Sequence, residues 1–403
     1  MIRLRALPPL ALYVHIPWCV RKCPYCDFNS HERSGALPEH EYVARLILDL
    51  ESLLPKVWGR RLVSVFIGGG TPSLFSPAAI DTLLAGVRAR MKLEPGAEIT
   101  LEANPGAVEA ARFRGLREAG VTRISIGVQS FDERMLVALG RIHGADEARR
   151  ALDAALGAFD NVNIDLMYGL PGQTAAMARA DIEEAARSGV PHVSAYQLTI
   201  EPNTVFWSKP PQLPEHDECA DMQLDAEEIL QRGGYEHYET SAFAKPLHRC
   251  QHNLNYWEFG DYLGIGAGAH GKISFPDRVT RHERIKQPRE YLQSSANATE
   301  RAVPVSELPF EFMLNALRLV EGFPLALFEE RTGLSVASIE EPLQRAEKAG
   351  LLERDWKRVR PTARGQRFLN ELLAFFLAGE TPGPAPGVPG GGRVIRISSP
   401  ASR

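Results

Sequence analysis

The sequence has few cysteines, no excess of positive charge and no long apolar run. Five cysteines in 403 residues are too few for a disulfide framework, and clustered cysteines in a reducing compartment more often bind metal or act in catalysis. The formal net charge of −4 argues against a nucleic-acid-binding protein. No apolar run is long enough to span a membrane, although peripheral association with a membrane is compatible with this composition.

The beginning of the chain reads as part of the folded protein. The segment MIRLRALPPLALYV has a short apolar stretch, but it has no clear signal-peptide core followed by a small-residue cleavage site. It continues directly into a strand-like run. We therefore expect a mature cytosolic N-terminus and a cytoplasmic protein.

Strand-like and helix-like segments alternate up to residue 200. Ser76 and Pro77 provide an N-cap and a first-turn proline for one helix, and Gly120 ends another. This alternation predicts an α/β fold, a parallel sheet with helices outside. Six units are fewer than the eight of a closed barrel, so we expect an open (β/α)6 partial TIM barrel over residues 1–200. The six predicted strands are ALYVHIP, RLVSVFIGG, AEITLEAN, RISIGVQS, VNIDLMYGL and HVSAYQLTI.

The pattern changes in the second half of the chain. Residues 201–300 are predicted to extend the barrel with a helix near 215–232, a strand at YEHYETSAFA and an aromatic and glycine-rich loop. Residues 301–378 are largely helical and include the basic, strand-like segment LLERDWKRVRPT, which predicts a winged-helix-like α+β domain. Residues 379–403 are rich in glycine and proline, a composition typical of a disordered tail.

Three of the five cysteines lie close together, as Cys19-x3-Cys23-x2-Cys26, directly after the first predicted strand. A zinc site would need a fourth ligand, which His15 or His31 could supply. The loop falls at the carboxyl end of a barrel strand, where such folds place their active sites. A [4Fe–4S] cluster normally takes four cysteines, so three would leave one iron open for a small molecule.

The cysteine motif followed by FIGGGTP after the second strand resembles the radical S-adenosylmethionine (SAM) superfamily. The resemblance implies that SAM binds the open iron through its amino and carboxylate groups. It also implies that an electron from an external donor, passed through the cluster, cleaves SAM to a 5′-deoxyadenosyl radical. Within this superfamily the chain is similar to the oxygen-independent coproporphyrinogen III oxidases. The SAM-binding residues implied by these resemblances are Tyr13, Tyr25, Gly69, Gly70, Thr71, Glu102, Gln129, Arg141 and Asp165.

The chain also departs from the oxidases. Their cysteine motif continues as CxxCxC, whereas Phe28 stands at the corresponding position here. They carry an N-terminal extension, and this chain has only a short segment before its first strand. The motif His252-Asn-Leu-Asn-Tyr256-Trp257 instead resembles the heme chaperones related to the oxidases. We therefore expect a heme chaperone that transfers heme to an acceptor protein; an oxidase that decarboxylates coproporphyrinogen III is the alternative, and a zinc-stabilised structural protein is a third interpretation.

The implied heme-binding residues are also compatible with purely structural roles. Histidine is a common axial ligand of heme iron, yet His252 is also compatible with a structural loop, with Tyr256 and Trp257 as core aromatics. In that case Cys250 or His270 could ligate the iron. Cys219 lies in a helical run and has no predicted role. The C-terminal segment contains basic residues that could indicate DNA binding: Arg354, Lys357, Arg358 and Arg360. The acidic helices before these residues instead favour a domain packed beside the barrel.

Overall fold

The computed structural model describes residues 2–293 and 298–377, with the side chains of residues 107–110 left out. The predicted disordered tail, 379–403, and residue 378 lie outside the described residues. The strands are β1 Leu10–Ile16, β2 Trp18–Cys19, β3 His31–Glu32, β4 Leu62–Gly69, β5 Leu93–Ala103, β6 Arg123–Gln129, β7 Asn161–Tyr168, β8 His192–Gln197, β9 Glu236–Glu239, β10 Ala242–Ala244, β11 Asp261–Ile265, β12 His270–Phe275, β13 Arg278–Arg284, β14 Ala298–Ala302, β15 Phe323–Pro324, β16 Leu352–Arg354 and β17 Arg358–Pro361.

Helices connect most of these strands, as the alternating pattern predicts. The helices are α1 Glu39–Leu53, α2 Pro77–Arg90, α3 Ala107–Glu118, α4 Glu133–Ala138, α5 Ala145–Leu156, α6 Ala175–Arg187, α7 Val205–Ser208, α8 His216–Arg232, α9 Gln251–Trp257, α10 Pro288–Gln293, α11 Leu308–Ala316, α12 Leu325–Thr332, α13 Glu340–Lys348, α14 Ala363–Arg367 and α15 Leu369–Ala374.

One twelve-stranded sheet forms the body of the molecule, in the order β14-β13-β12-β11-β1-β4-β5-β6-β7-β8-β10-β9. The six predicted strands form its parallel centre, β1 and β4 to β8. The sheet runs from one edge at β14 to the other at β9, so the predicted open (β/α)6 fold is confirmed. The predicted strand YEHYETSAFA forms two antiparallel strands, β9 and β10.

The other flank of the sheet was not predicted. β11 adds a seventh parallel strand beside β1, and β12, β13 and β14 continue the sheet in antiparallel fashion. The aromatic and glycine-rich segment that we expected to be a loop therefore supplies strand β11 and the first residues of β12. This region extends the concave inner face of the barrel by four strands.

Alternating side chains of β1 separate the core from the inner face. Leu12, Val14 and Ile16 pack into the large apolar core against the helices, whereas Tyr13 and His15 contact each other on the opposite, inner face. At the start of α2 the Ser76 side chain accepts a hydrogen bond from the Ala79 amide, which confirms the predicted N-cap. The outer helices thus fix the sheet, and the inner face remains for polar groups.

The C-terminal domain has its own core. Phe312 of α11 makes edge-to-face contacts with Phe323 and Phe328 at centroid distances of 5.0 and 5.3 Å. Its sheet, β15-β17-β16, has three strands, and the strand-like segment LLERDWKRVRPT supplies two of them, β16 and β17. Two of the basic residues of this segment are paired with carboxylates: Arg354 binds Glu340 and Glu347, and Arg360 binds Glu353. In the part of the chain that the structure describes, no helix combines the length and apolarity needed to cross a membrane.

Candidate functional site

The three cysteines lie on one loop at the carboxyl end of β1. Cys19 belongs to β2, which pairs with β3 and closes the base of the loop. The amide of Asn29 donates hydrogen bonds to the carbonyls of Ala267 and Lys286, each at 2.9 Å. The cysteine loop is therefore fixed to residues more than two hundred positions further along the chain.

The cysteine thiols are partly buried. Burial raises the pKa of Cys19 to about 11, and burial also raises the pKa of Cys26. Both groups are thus neutral thiols at neutral pH when no metal is present. Since thiolates are the form that ligates metal, binding of a metal or cluster to these cysteines would have to displace these protons.

The histidines considered as zinc ligands are engaged elsewhere. His15 contacts the Tyr13 hydroxyl through Nδ1 at 2.9 Å and the Asn29 carbonyl through Nε2 at 3.0 Å, and burial lowers its pKa to about 4. His31 Nε2 lies 3.2 Å from Asn29 Oδ1. Within residues 2–293 and 298–377 no three His, Cys, Asp or Glu residues converge on one ion position. A cubane spreads its ligands over several irons, so a set of three thiols fits a cluster better than a single ion.

The glycine segment after β4 packs directly against the end of β1. Gly69 has a φ of +120°, and a Cβ there would lie 2.7 Å from the His15 ring. A Cβ on Gly70 would lie 2.6 Å from the carbonyl oxygen of Trp18. Only glycine fits these two positions, so exposed backbone borders the cysteine loop, as binding of a small zwitterion would need.

Two of the predicted SAM-binding carboxylates face each other across the inner sheet. Glu102 accepts a hydrogen bond from the Gly69 amide at 3.0 Å, and burial together with the nearby Asp165 raises its pKa to about 8. Burial also raises the pKa of Asp165, which is held by Ser125 and Asn163 at 3.1 and 2.8 Å. With a pKa of about 8, Glu102 is largely protonated at neutral pH and can donate a hydrogen bond.

Arg141 connects the cysteine loop to the ends of β5 and β6. Its guanidinium lies 3.5 Å from Cys23 Sγ and donates to Asn104 Oδ1 at 2.7 Å and to the Gly127 carbonyl at 2.9 Å. Its buried Nε has no hydrogen-bond partner among the described residues. The Asn104 amide in turn donates to Thr71 Oγ1 at 2.8 Å. Asn104 was missed in the sequence, although it stands two positions after Glu102 at the same strand end.

The remaining predicted residues lie at the same end of the barrel. Gln129 has a φ of +69°, and a non-glycine residue in this conformation costs about 1–3 kcal/mol and is typical of ligand sites. Tyr25, on the cysteine loop, lies 6.4 Å from Phe206 between ring centroids. The structure thus brings the cysteines, the glycines, Arg141 and the two carboxylates to one end of the sheet. This arrangement fits a cluster with bound SAM, in which a sulfonium joins methionine to adenosine.

His252, Tyr256 and Trp257 lie in a different place. The expectation that His252 belongs to a loop is wrong: all three residues are on the buried helix α9. His252 is 1% exposed; its Nδ1 lies 2.9 Å from Ser64 Oγ, and its ring lies 4.9 Å from Phe66 and 4.7 Å from Tyr256 between centroids. Burial lowers its pKa to about 3, so the imidazole is neutral.

A cavity of about 610 Å³ opens beside this helix. Tyr256 and Trp257 form part of its wall, and α11 and the inner face of β11 to β14 form the rest. The Tyr256 hydroxyl and the Trp257 indole nitrogen are buried and have no hydrogen-bond partner among the described residues. His252 does not line this cavity.

Two family comparisons cover the two domains. Residues 13–185 match the radical SAM superfamily, and residues 303–368 match the HemN C-terminal domain. The solved structure of coproporphyrinogen III oxidase (HemN) from Escherichia coli superposes with a TM-score of 0.77 over 92% of this chain and 90% of that chain, at 23% sequence identity. At this identity the likeness concerns the fold.

Full-length relatives narrow the assignment. The heme chaperone HemW of Escherichia coli is 51% identical over 92% of this chain and 99% of the relative. The heme chaperone HemW of Haemophilus influenzae is 47% identical over 93% of this chain and 99% of the relative. The chain therefore belongs to the radical SAM superfamily and, within it, to the family of these heme chaperone HemW proteins. The resemblance inferred from the cysteine, glycine and HNLNYW motifs is confirmed.

Proposed function

We propose that this protein is a heme chaperone, which binds heme and transfers it to an acceptor protein. The observation that carries the proposal is the similarity to relatives named heme chaperone HemW, which extends over 99% of their length at up to 51% identity. The cavity beside α9, with its aromatic wall, supports it. A protein with reduced, metal-binding thiols is suited to the cytoplasm, where we propose that it acts.

The proposal includes a [4Fe–4S] cluster on Cys19, Cys23 and Cys26 with SAM at the open iron. When bound, these groups supply one-electron chemistry at the SAM sulfonium, provided that an external donor reduces the cluster. The chain contributes the polar frame around them. The backbone of Gly69 to Thr71 allows close approach, Asn104 holds Thr71 and Arg141 in place, and Glu102 and Asp165 offer hydrogen bonds to a nucleoside.

A second candidate is the oxidative decarboxylation of coproporphyrinogen III. Its support is the shared fold with the oxidase structure, and at 23% identity this support does not extend to the reaction. Phe28 stands where the oxidase motif has a further cysteine, which favours the chaperone.

One sample can separate the two candidates. The protein is reconstituted anaerobically with iron and sulfide, titrated with hemin, mixed with apomyoglobin as a probe acceptor, and assayed for coproporphyrinogen III turnover with SAM and a reductant. We expect hemin binding and transfer to apomyoglobin, with no decarboxylation. Turnover within the range usual for enzymes, about 1–10³ per second, without hemin binding would replace the chaperone by the oxidase. Cys23→Ser serves as the control that lacks an intact cluster site.

A further inference from the structure

The position of His252 raises the question of which side chain meets the heme iron. His252 is 1% exposed, and its ring is enclosed by Phe66 and Tyr256 and held by Ser64 at Nδ1. Its buried Nε2 has no hydrogen-bond partner among the described residues, but a porphyrin cannot reach this nitrogen in the conformation described. The cavity next to α9 already exists and is bordered by Tyr256 and Trp257. A histidine that lines this cavity needs no change of conformation.

The floor of the cavity is built from two neighbouring cross-strand rows. One row contains Tyr262, Lys272, Arg281 and Arg301, as the register of β11 to β14 shows. The other row contains His270, Glu283 and Thr299. The rows are two residues apart along the strands, about 7 Å at 3.4 Å per residue. An imidazole thus stands beside a row of cations on one face of the sheet.

His270 has the surroundings of a metal ligand. Its side chain is 26% exposed, and its Nε2 lies 3.5 Å from a carboxylate oxygen of Glu283. A carboxylate at one ring nitrogen of a histidine orients the ring and raises the basicity of the opposite nitrogen when that nitrogen ligates a metal. His282, the other histidine of the lining, lies with its Nε2 3.4 Å from the buried Gly264 amide.

The cations of the cavity differ in how firmly they are paired. Lys272 is 2.9 Å from Asp261, and Arg281 is 2.8 Å from Glu311. Arg318 lies 3.9 Å from Glu239, and its buried Nε has no hydrogen-bond partner among the described residues. The nearest carboxylates of Arg301 are 3.7 and 3.8 Å away. The guanidinium groups of Arg301 and Arg318 are thus the two best able to bind a further carboxylate.

Given the proposed heme-binding function, we propose that heme occupies this cavity with His270 as the protein ligand to iron and with its propionates at Arg301 and Arg318. The ring lies against Tyr256, Trp257 and Tyr262. His252 then acts as a positioning residue, which fixes α9 through Ser64 and Phe66. The two cross-strand rows of β11 to β14 place the iron ligand His270 and the propionate-binding Arg301 two residues apart along the strands.

The ligand assignment is tested by spectroscopy on the cluster-reconstituted protein. Ferric heme is titrated into wild type, His270→Ala, His270→Cys and His252→Ala, after the cluster content and circular dichroism of each have been compared. We expect His270→Ala to lose the wild-type Soret and electron paramagnetic resonance signatures and to regain them with added imidazole. We expect His270→Cys to give a thiolate-ligated spectrum, and His252→Ala to keep the wild-type ligation.

A porphyrin probe tests the propionate contacts. Charge-assisted hydrogen bonds between arginine and carboxylate are stronger than those to a neutral ester, so wild type should bind hemin at least tenfold more tightly than hemin dimethyl ester. In the Arg301→Gln, Arg318→Gln double variant this preference should disappear. The exposed Arg187→Gln variant is the control.

The outcomes separate this assignment from the proposed function. If wild type binds no heme, the chaperone proposal and the assignment both fail. If wild type binds heme and both His270 variants keep its spectra while His252→Ala loses them, the assignment alone is overturned. An unchanged preference for hemin over its ester in the double arginine variant would contradict the propionate contacts.

Discussion

The carboxyl group of Glu102 makes the stability of the ligand-free protein depend on pH. Burial and the neighbouring Asp165 raise its pKa from 4.5 to about 8. Between these two values the unfolded chain has lost the proton while the folded chain retains it. The free energy of unfolding therefore falls as pH rises through this window and stops changing above it. Glu102→Gln removes this titration and keeps an oxygen that can accept the hydrogen bond from Gly69.

The size of the effect follows from the shift. A difference of roughly 3.5 units corresponds to about 5 kcal/mol at 1.36 kcal/mol per unit. Because Glu102 keeps partial contact with solvent, screening reduces this value, and we expect about 2–3 kcal/mol. Glu102→Gln should thus gain stability relative to wild type as the pH rises from 5 to 8.5.

The measurement is urea denaturation of the cluster-free, reduced protein at several pH values within this window. The difference between Glu102→Gln and wild type should grow steadily with pH, whereas the exposed Glu353→Gln should parallel wild type throughout. A constant difference between the Glu102→Gln and wild-type curves across the window would refute the reasoning, because it would mean that Glu102 titrates alike in the folded and unfolded chains.

Three further predictions concern the cluster, the glycine turn and the C-terminal core. Cys23→Ser should lower the iron bound per chain after anaerobic reconstitution, since three ligands leave no spare, whereas Cys219→Ser on α8 should retain it; undiminished iron in the first variant would contradict the cluster assignment. Gly69→Ala should destabilise the protein by about 2 kcal/mol or more, because the residue has a positive φ and its Cβ would contact His15. Gly189 also has a positive φ but has open space around it, so Gly189→Ala should lower the melting temperature less than Gly69→Ala does. Phe312→Ala should cost about 3–5 kcal/mol in urea denaturation, whereas Trp356→Ala, 81% exposed, should change the unfolding free energy by under about 0.5 kcal/mol; equal effects would contradict the packing described for this core.

The parallel centre of the sheet was predictable because each strand there is rich in apolar and β-branched residues and lies between clear helix signals. Strand β11 and helix α9 could not be predicted, because the sequence patterns that indicate a strand or a helix are weak in both. β11 contains Asp261 and Gly264, and its aspartate is buried only because Arg60 and Lys272 pair with it. α9 has seven residues, too few to show a helical period. Both elements depend on contacts that are distant in sequence.

In the candidate site, too, some features were predictable from local sequence motifs and others depend on contacts that are distant in sequence. Motifs located the cysteines, the glycines and the carboxylates, because such residues have to occur at strand ends. The role of Asn104 as a bridge between Thr71 and Arg141 depends on the distance between two strand ends, which spacing along the chain does not give. The cavity likewise depends on the register of β11 to β14, so its two rows of side chains could not be read from the sequence.

The position of β1 between β4 and β11 has a consequence for biosynthesis. One edge of this strand can pair as soon as residue 69 has left the ribosome, whereas the other stays open until residues 261–265 follow. The cysteine loop, held by Ala267 and Lys286 through Asn29, gains its last anchors later still. At about 5–20 residues per second this gap lasts on the order of 10 seconds or more. Completion of the cysteine loop is therefore a late event, which follows synthesis of more than two-thirds of the chain, and the proposed cluster would be assembled only after it.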